Sequence, residues 1–186
     1  MKSQKKRVLK TVGVLLAITL VMGVVLSSPY SHLLLFRAAI FIKAHQVEQC
    51  QVRLLCETNH QALLEACREL SKQVAAGKLA PRTYYVRSHK RPPEVSRFPK
   101  LILDLSPRSI IIDEDGRVVL QMGGAFANFG VFAYPEHYKE PYRNFVYGNR
   151  EIIDGLWYHD AEYEGSPEYQ KRIEALIQKG KEASGN

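Results

Sequence analysis

The run Trp157-Tyr158-His159-Asp160 has the residue types of acid–base chemistry. His159 offers a general base, Asp160 an acid, and Glu136 a second carboxyl upstream. Together they suggest a small hydrolase. In a strand, however, neighbouring residues face opposite sides, so His159 and Asp160 need not converge. No Gly-x-Ser-x-Gly elbow accompanies them, and no cysteine is placed as a nucleophile. An exposed polar strand end explains the run more simply.

The other chemical candidates have structural explanations of equal economy. Asp113, Glu114 and Asp115 are consecutive, whereas a calcium loop alternates its ligands, and Gly116 makes the group a hairpin turn. The glycine-rich stretch 123–130 lacks the helix start and Lys or Ser/Thr of a phosphate loop, so its glycines are expected to permit a kink or a close approach. The six histidines show no zinc-ligand spacing, so neither a metal nor a cofactor is expected.

Two surfaces suit binding instead. The stretch 82–100 has six Lys/Arg and one acid, with Arg87, Lys90 and Arg91 as the residues best suited to an anionic lipid or wall polymer. A solvated loop is the simpler reading. Residues 134–163 are rich in tyrosine, and Tyr134, Trp157 and Tyr158 have the flat apolar faces and polar tips that suit a sugar or protein partner. Packing within a sheet would use the same rings.

The elements that must position these residues are those of an α+β domain. Phe36, Ile40, Val47, Cys50 and Leu54 form one apolar stripe, predicting a helix over about 31–55. Thr58 and Gln61 make a capping box for a second helix over 59–76, which Gly77 ends. The short connection predicts a helical hairpin. Short strands follow across about 84–158, at Tyr84–Arg87, Leu101–Leu105, Ser109–Asp113, Arg117–Met122, Gly130–Tyr134 and Leu156–Tyr158. They predict a small antiparallel meander, with turns at 113–116 and at Asp154-Gly155. Ser166-Pro167-Glu168 opens a last helix over about 167–180.

Cys50 and Cys67 lie at similar distances either side of the hairpin turn, and both sit on apolar stripes. In an oxidising compartment they are the expected disulfide, with Cys56 left over beside the turn. The bridge would stabilise the fold by roughly 3 kcal/mol in the chain-entropy account.

The N-terminus is of another character. Thr11–Leu26 carries no charge, and ten of its sixteen residues are Val, Leu or Ile. They favour a bilayer by roughly 4 kcal/mol. A helix over Val8–Leu26 reaches about 28 Å, close to the hydrocarbon thickness. Lys2, Lys5, Lys6, Arg7 and Lys10 precede or open it, which places residues 1–7 in the cytoplasm and a domain of residues 31–186 outside. The rival reading is a cleaved signal peptide and a secreted domain, but Val25-Leu26-Ser27 is a poor cleavage site. A second apolar run, Leu33–Ile42, reaches only about 15 Å and cannot span alone. It is expected to begin a helix buried against the sheet or lying at the bilayer surface.

Those five residues also hold much of the net charge of +7, leaving 21 of the 26 Lys and Arg against 19 acids. A nearly neutral domain argues against a nucleic-acid partner. The order of elements resembles pilin-like proteins in shape alone; the apolar run has no Glu and no Gly-aromatic junction, so it implies no family. The expectation is therefore a single-pass, membrane-anchored envelope protein, whose partners are the lipid bilayer through residues 8–26 and a protein or envelope polymer.

Overall fold

A computed structural model of the chain describes residues 31–88, 92–123, 128–136, 149–161 and 166–183. The chain divides into two units, residues 1–46 and 47–186. The expected span over Val8–Leu26 lies outside the described residues. Among those described, no helix is long and apolar enough to cross a membrane.

Among the described residues the fold is α+β, with four α-helices and one six-stranded antiparallel sheet. Helix α1 (Ser31–Val52) passes into a π-helical turn, Arg53–Glu57, and α2 (His60–Ala75) follows. Asn59, not Thr58, caps α2: its side chain accepts from the Ala62 amide at 2.9 Å, while the Thr58 hydroxyl donates back to the Arg53 carbonyl at 2.8 Å. The expected box was one residue early because the π-helical turn claims Thr58 for its own closure. Gly77, at φ +67°, ends α2 as expected, with paired bonds from Gly77 N to Val74 O and from Lys78 N to Gln73 O.

The strands are β1 (Thr83–Tyr85), β2 (Ser109–Ile112), β3 (Val118–Gln121), β4 (Phe129–Ala133), β5 (Arg150–Ile153) and β6 (Leu156–Asp160). Their order is β1-β2-β3-β4-β6-β5, so the simple meander stops at β4 and the last hairpin enters with β6 innermost. Both expected turns are present. Gly116 (φ +82°) closes the β2–β3 turn and Gly155 (φ +85°) the β5–β6 turn. Leu101–Leu105, expected as a strand, is instead helix α3 (Lys100–Asp104). A five-residue apolar run does not distinguish strand from helix by period. Here Pro99 stands at the helix start and Pro107 closes the segment, and only Ile102 is fully buried among its central residues.

Alternation along the strands sends Ile110, Ile112, Leu120, Val131, Leu156 and Tyr158 to one face, where Leu63, Leu70, Ile102 and Ile173 meet them. Helix α4 (Pro167–Ala183) starts as expected, with the Ser166 hydroxyl accepting from the Tyr169 amide at 3.1 Å. It packs on the π-helical turn. There, a Cβ added to Gly180 would stand 1.9 Å from the Leu55 carbonyl oxygen, so only glycine fits.

Leu33, Leu35, Phe36, Ile40, Phe41 and Ile42 are exposed. The expected Cys50–Cys67 bridge is not formed: Cys50, Cys56 and Cys67 are all free thiols. Equal heights assumed regular α-helix up to the turn, and the π-helical turn, with its extra residue, breaks that phase. Cys67 is fully buried in the core, where desolvation pushes its thiol up to about 12. Cys56 instead donates to the Leu176 carbonyl at 3.3 Å.

Candidate functional site

Strand β6 sorts the suggestive run by side. Leu156, Tyr158 and Asp160 point into the core, while Trp157 and His159 lie half-buried on the other face. His159 stacks on Phe132, with ring centroids 4.9 Å apart, and burial pushes its pKa down. His159 and Asp160 are therefore separated by the sheet itself. Glu136 is a surface residue, 4.0 Å from Lys72. The three acid–base candidates do not meet.

Asp160 does have partners, and most escaped sequence reasoning. It is 1% exposed. Its Oδ2 accepts from the Tyr158 hydroxyl and from the Tyr169 hydroxyl, each at 2.6 Å, and from Gln51 Nε2 at 3.1 Å. Gln51, itself fully buried, also reaches the two tyrosine oxygens, at 3.0 Å and 2.6 Å. Each phenol donates its one hydrogen to Asp160, and the Gln51 amide shares its two hydrogens among three acceptors, the two phenol oxygens and Asp160 Oδ2. The amide orientation is fixed from its other end, where Gln51 Oε1 accepts from Arg172 Nη2 at 2.5 Å. Arg172 Nη1 donates to Glu48 at 3.1 Å, and the guanidinium lies 5.0 Å from the Tyr169 ring centre.

Three elements meet at this cluster. The end of α1 brings Glu48 and Gln51, one turn apart. The start of α4 brings Tyr169 and Arg172, at the same spacing, and β6 brings Tyr158 and Asp160. Burial first, and the Asp160 carboxyl with it, push both phenols up, Tyr169 to about 12 and Tyr158 beyond the usual tyrosine range. Both stay protonated donors at ordinary pH. The group can hold three elements together; a ligand would have to displace one of these bonds to reach Asp160. The one signal in the sequence was alternation: an Asp two residues beyond a core Tyr in the same strand must be buried, and a buried carboxyl needs donors.

The binding candidates are also divided. Tyr134 and Tyr158 are buried and Trp157 is half-buried. Arg87 donates through Nε to the carbonyl of Ser106 at 2.7 Å. Lys90 and Arg91 lie outside the described residues, as do most tyrosines of 134–163. In the acidic turn, Asp113 is ion-paired with Arg117. Among the described residues, no three His, Cys, Asp or Glu side chains gather closely enough to hold a metal ion.

A second buried polar group has one open end. His60 Nε2 donates to the Leu54 carbonyl at 2.9 Å, while Nδ1 has no partner among the described residues. Burial lowers its pKa from 6.5, the nearby Lys181 adds to this, and the bond to Leu54 opposes both. A histidine with a lowered folded pKa binds fewer protons folded than unfolded. His60 and His159 therefore both favour the fold fully above about pH 6.5 and lose that contribution as the pH falls through their folded values. Denaturation midpoints of the full chain in mild detergent should fall between pH 7.5 and 5.5. His60→Gln, which retains a donor for Leu54, should flatten that fall. An unchanged pH slope in the variant would reject this role for His60.

Comparison of the chain with protein-family models, with curated proteins and with solved structures finds no match. Fold and site together define an α+β domain with an antiparallel sheet, in which a buried carboxylate cluster joins two helices to the sheet.

Proposed function

We propose that this chain is a single-pass membrane protein of the cell envelope. Residues 8–26 span the bilayer, residues 1–7 lie in the cytoplasm, and the domain of residues 31–186 works outside it as a binding or interaction module. The observation that carries this reading is the uncharged run Thr11–Leu26, opened on its N-terminal side by five basic residues. Only Arg37 and Lys43 follow it before Val47. A non-enzymatic role is supported by the separation of His159, Asp160 and Glu136, and by the engagement of Asp160 with three donors. The partners are the lipid bilayer and a protein or an envelope polymer.

A reporter that is active only after export, fused behind Asn186, tests the orientation. It should be active, and moving the basic residues from before Thr11 to behind Leu26 should invert or scramble insertion. An embedded chain with an inactive reporter and an unmodified N-terminus would reject the topology.

A further inference from the structure

The first turns of α1 carry large apolar side chains that are exposed. Leu33 is 49% exposed, Leu35 57%, Phe36 59%, Ile40 48%, Phe41 75% and Ile42 56%. They do not form a stripe. At about 100° per residue, Leu33 and Ile40 point to one side, Leu35 and Ile42 to roughly the opposite side, and Phe41 lies between the two. A partner helix or a second copy covers one side of a helix, whereas hydrocarbon covers all of them.

Charge follows the same boundary. No Asp or Glu occurs before Glu48, and the second of the two units begins at Val47. The acid-free segment thus continues into α1 as far as that unit. Arg37 and Lys43 are its only charges after Lys10, and both have long stems that can carry a cation out to phosphate level. Leu33 lies seven positions beyond Leu26, so the two are at most about 25 Å apart even when fully extended.

We infer that Leu33–Ile42 is seated in the outer face of the bilayer that residues 8–26 cross, with Arg37 and Lys43 among the lipid phosphates. This rests on the proposed span and adds a second lipid contact to it. The segment then tethers the domain close to the membrane surface and is not a free stalk.

The test uses the full chain in vesicles of phosphatidylcholine and phosphatidylglycerol. Trp157→Phe removes the one native tryptophan. Single tryptophans are then introduced by Leu16→Trp, Phe36→Trp, Phe41→Trp or Tyr85→Trp, the last at a domain position that is 56% exposed. Quenching is read with lipids brominated near either end of the acyl chain. The expected result is strongest quenching of Phe36→Trp and Phe41→Trp by bromine near the carbonyl end, several-fold above Tyr85→Trp. Leu16→Trp should respond most to bromine near the methyl end. If Leu16→Trp is quenched while the two α1 positions match Tyr85→Trp, the inference fails and the span stands. If Leu16→Trp escapes quenching, the span fails and the inference with it. If the α1 positions are shielded from lipid bromine and from aqueous iodide alike, protein covers them, and lipid seating is overturned.

Discussion

Asp160→Ala is expected to destabilise the domain by about 3–5 kcal/mol, because two buried phenols lose their acceptor and Gln51 loses one of its contacts. The loss should appear as a lower urea midpoint with an unchanged slope for the full chain in mild detergent. Tyr169→Phe removes one donor but leaves Asp160 with Tyr158 and Gln51, so about 1–2 kcal/mol is expected there. The pair should be non-additive: once Asp160 is gone, deleting the Tyr169 hydroxyl removes a liability rather than a bond. Additive losses would mean that the cluster is not one unit. A loss below about 1 kcal/mol for Asp160→Ala would mean that the α1–β6–α4 junction is held by apolar packing alone.

Gly180→Ala should destabilise by about 2–3 kcal/mol, against the trend for helices. At an ordinary exposed helix position the same change stabilises by up to about 1 kcal/mol. Here the new methyl would stand 1.9 Å from the Leu55 carbonyl oxygen and 3.1 Å from the His60 ring. Relief requires α4 to move away by more than about 1 Å, since atoms in good contact are about 3.5 Å apart or more. That movement strips Ile173 and Ile177 from the core and stretches the Cys56 bond to the Leu176 carbonyl. Ala175→Gly, on the exposed side of the same helix, should cost only the propensity difference, up to about 1 kcal/mol. Stabilisation by Gly180→Ala would show that α4 does not lie on the π-helical turn.

The elements were largely legible because their signals are local. The aliphatic runs Ser109–Ile112 and Val118–Gln121, Gly116 between them, Gly77 after α2, and Ser166-Pro167 at the start of α4 each act within a few residues. Leu101–Leu105 failed because five apolar residues satisfy both periods, and only the flanking prolines choose between them. The π-helical turn at Arg53–Glu57 left no composition signal, yet it displaces the cap to Asn59 and breaks the phase on which the Cys50–Cys67 pairing depended. The Asp160 cluster was half legible. Strand alternation separates His159 from Asp160, but Gln51 stands 109 residues before Asp160, and nothing in its neighbourhood marks it. Long-range polar partners follow from tertiary packing and have no local period.

The central claim is that the chain keeps its N-terminus inside the cell and holds its domain outside. It is tested most directly by labelling intact cells with a membrane-impermeant amine reagent, then mapping the peptides of the membrane fraction. Lys78, Lys100, Lys171 and Lys179, exposed on the domain, should be modified. Peptides bearing Lys2, Lys5 and Lys6 should be present, unmodified until the cells are permeabilised. Modified Lys2–Lys6 in intact cells, or a membrane fraction whose chain begins near Ser27, would contradict the account.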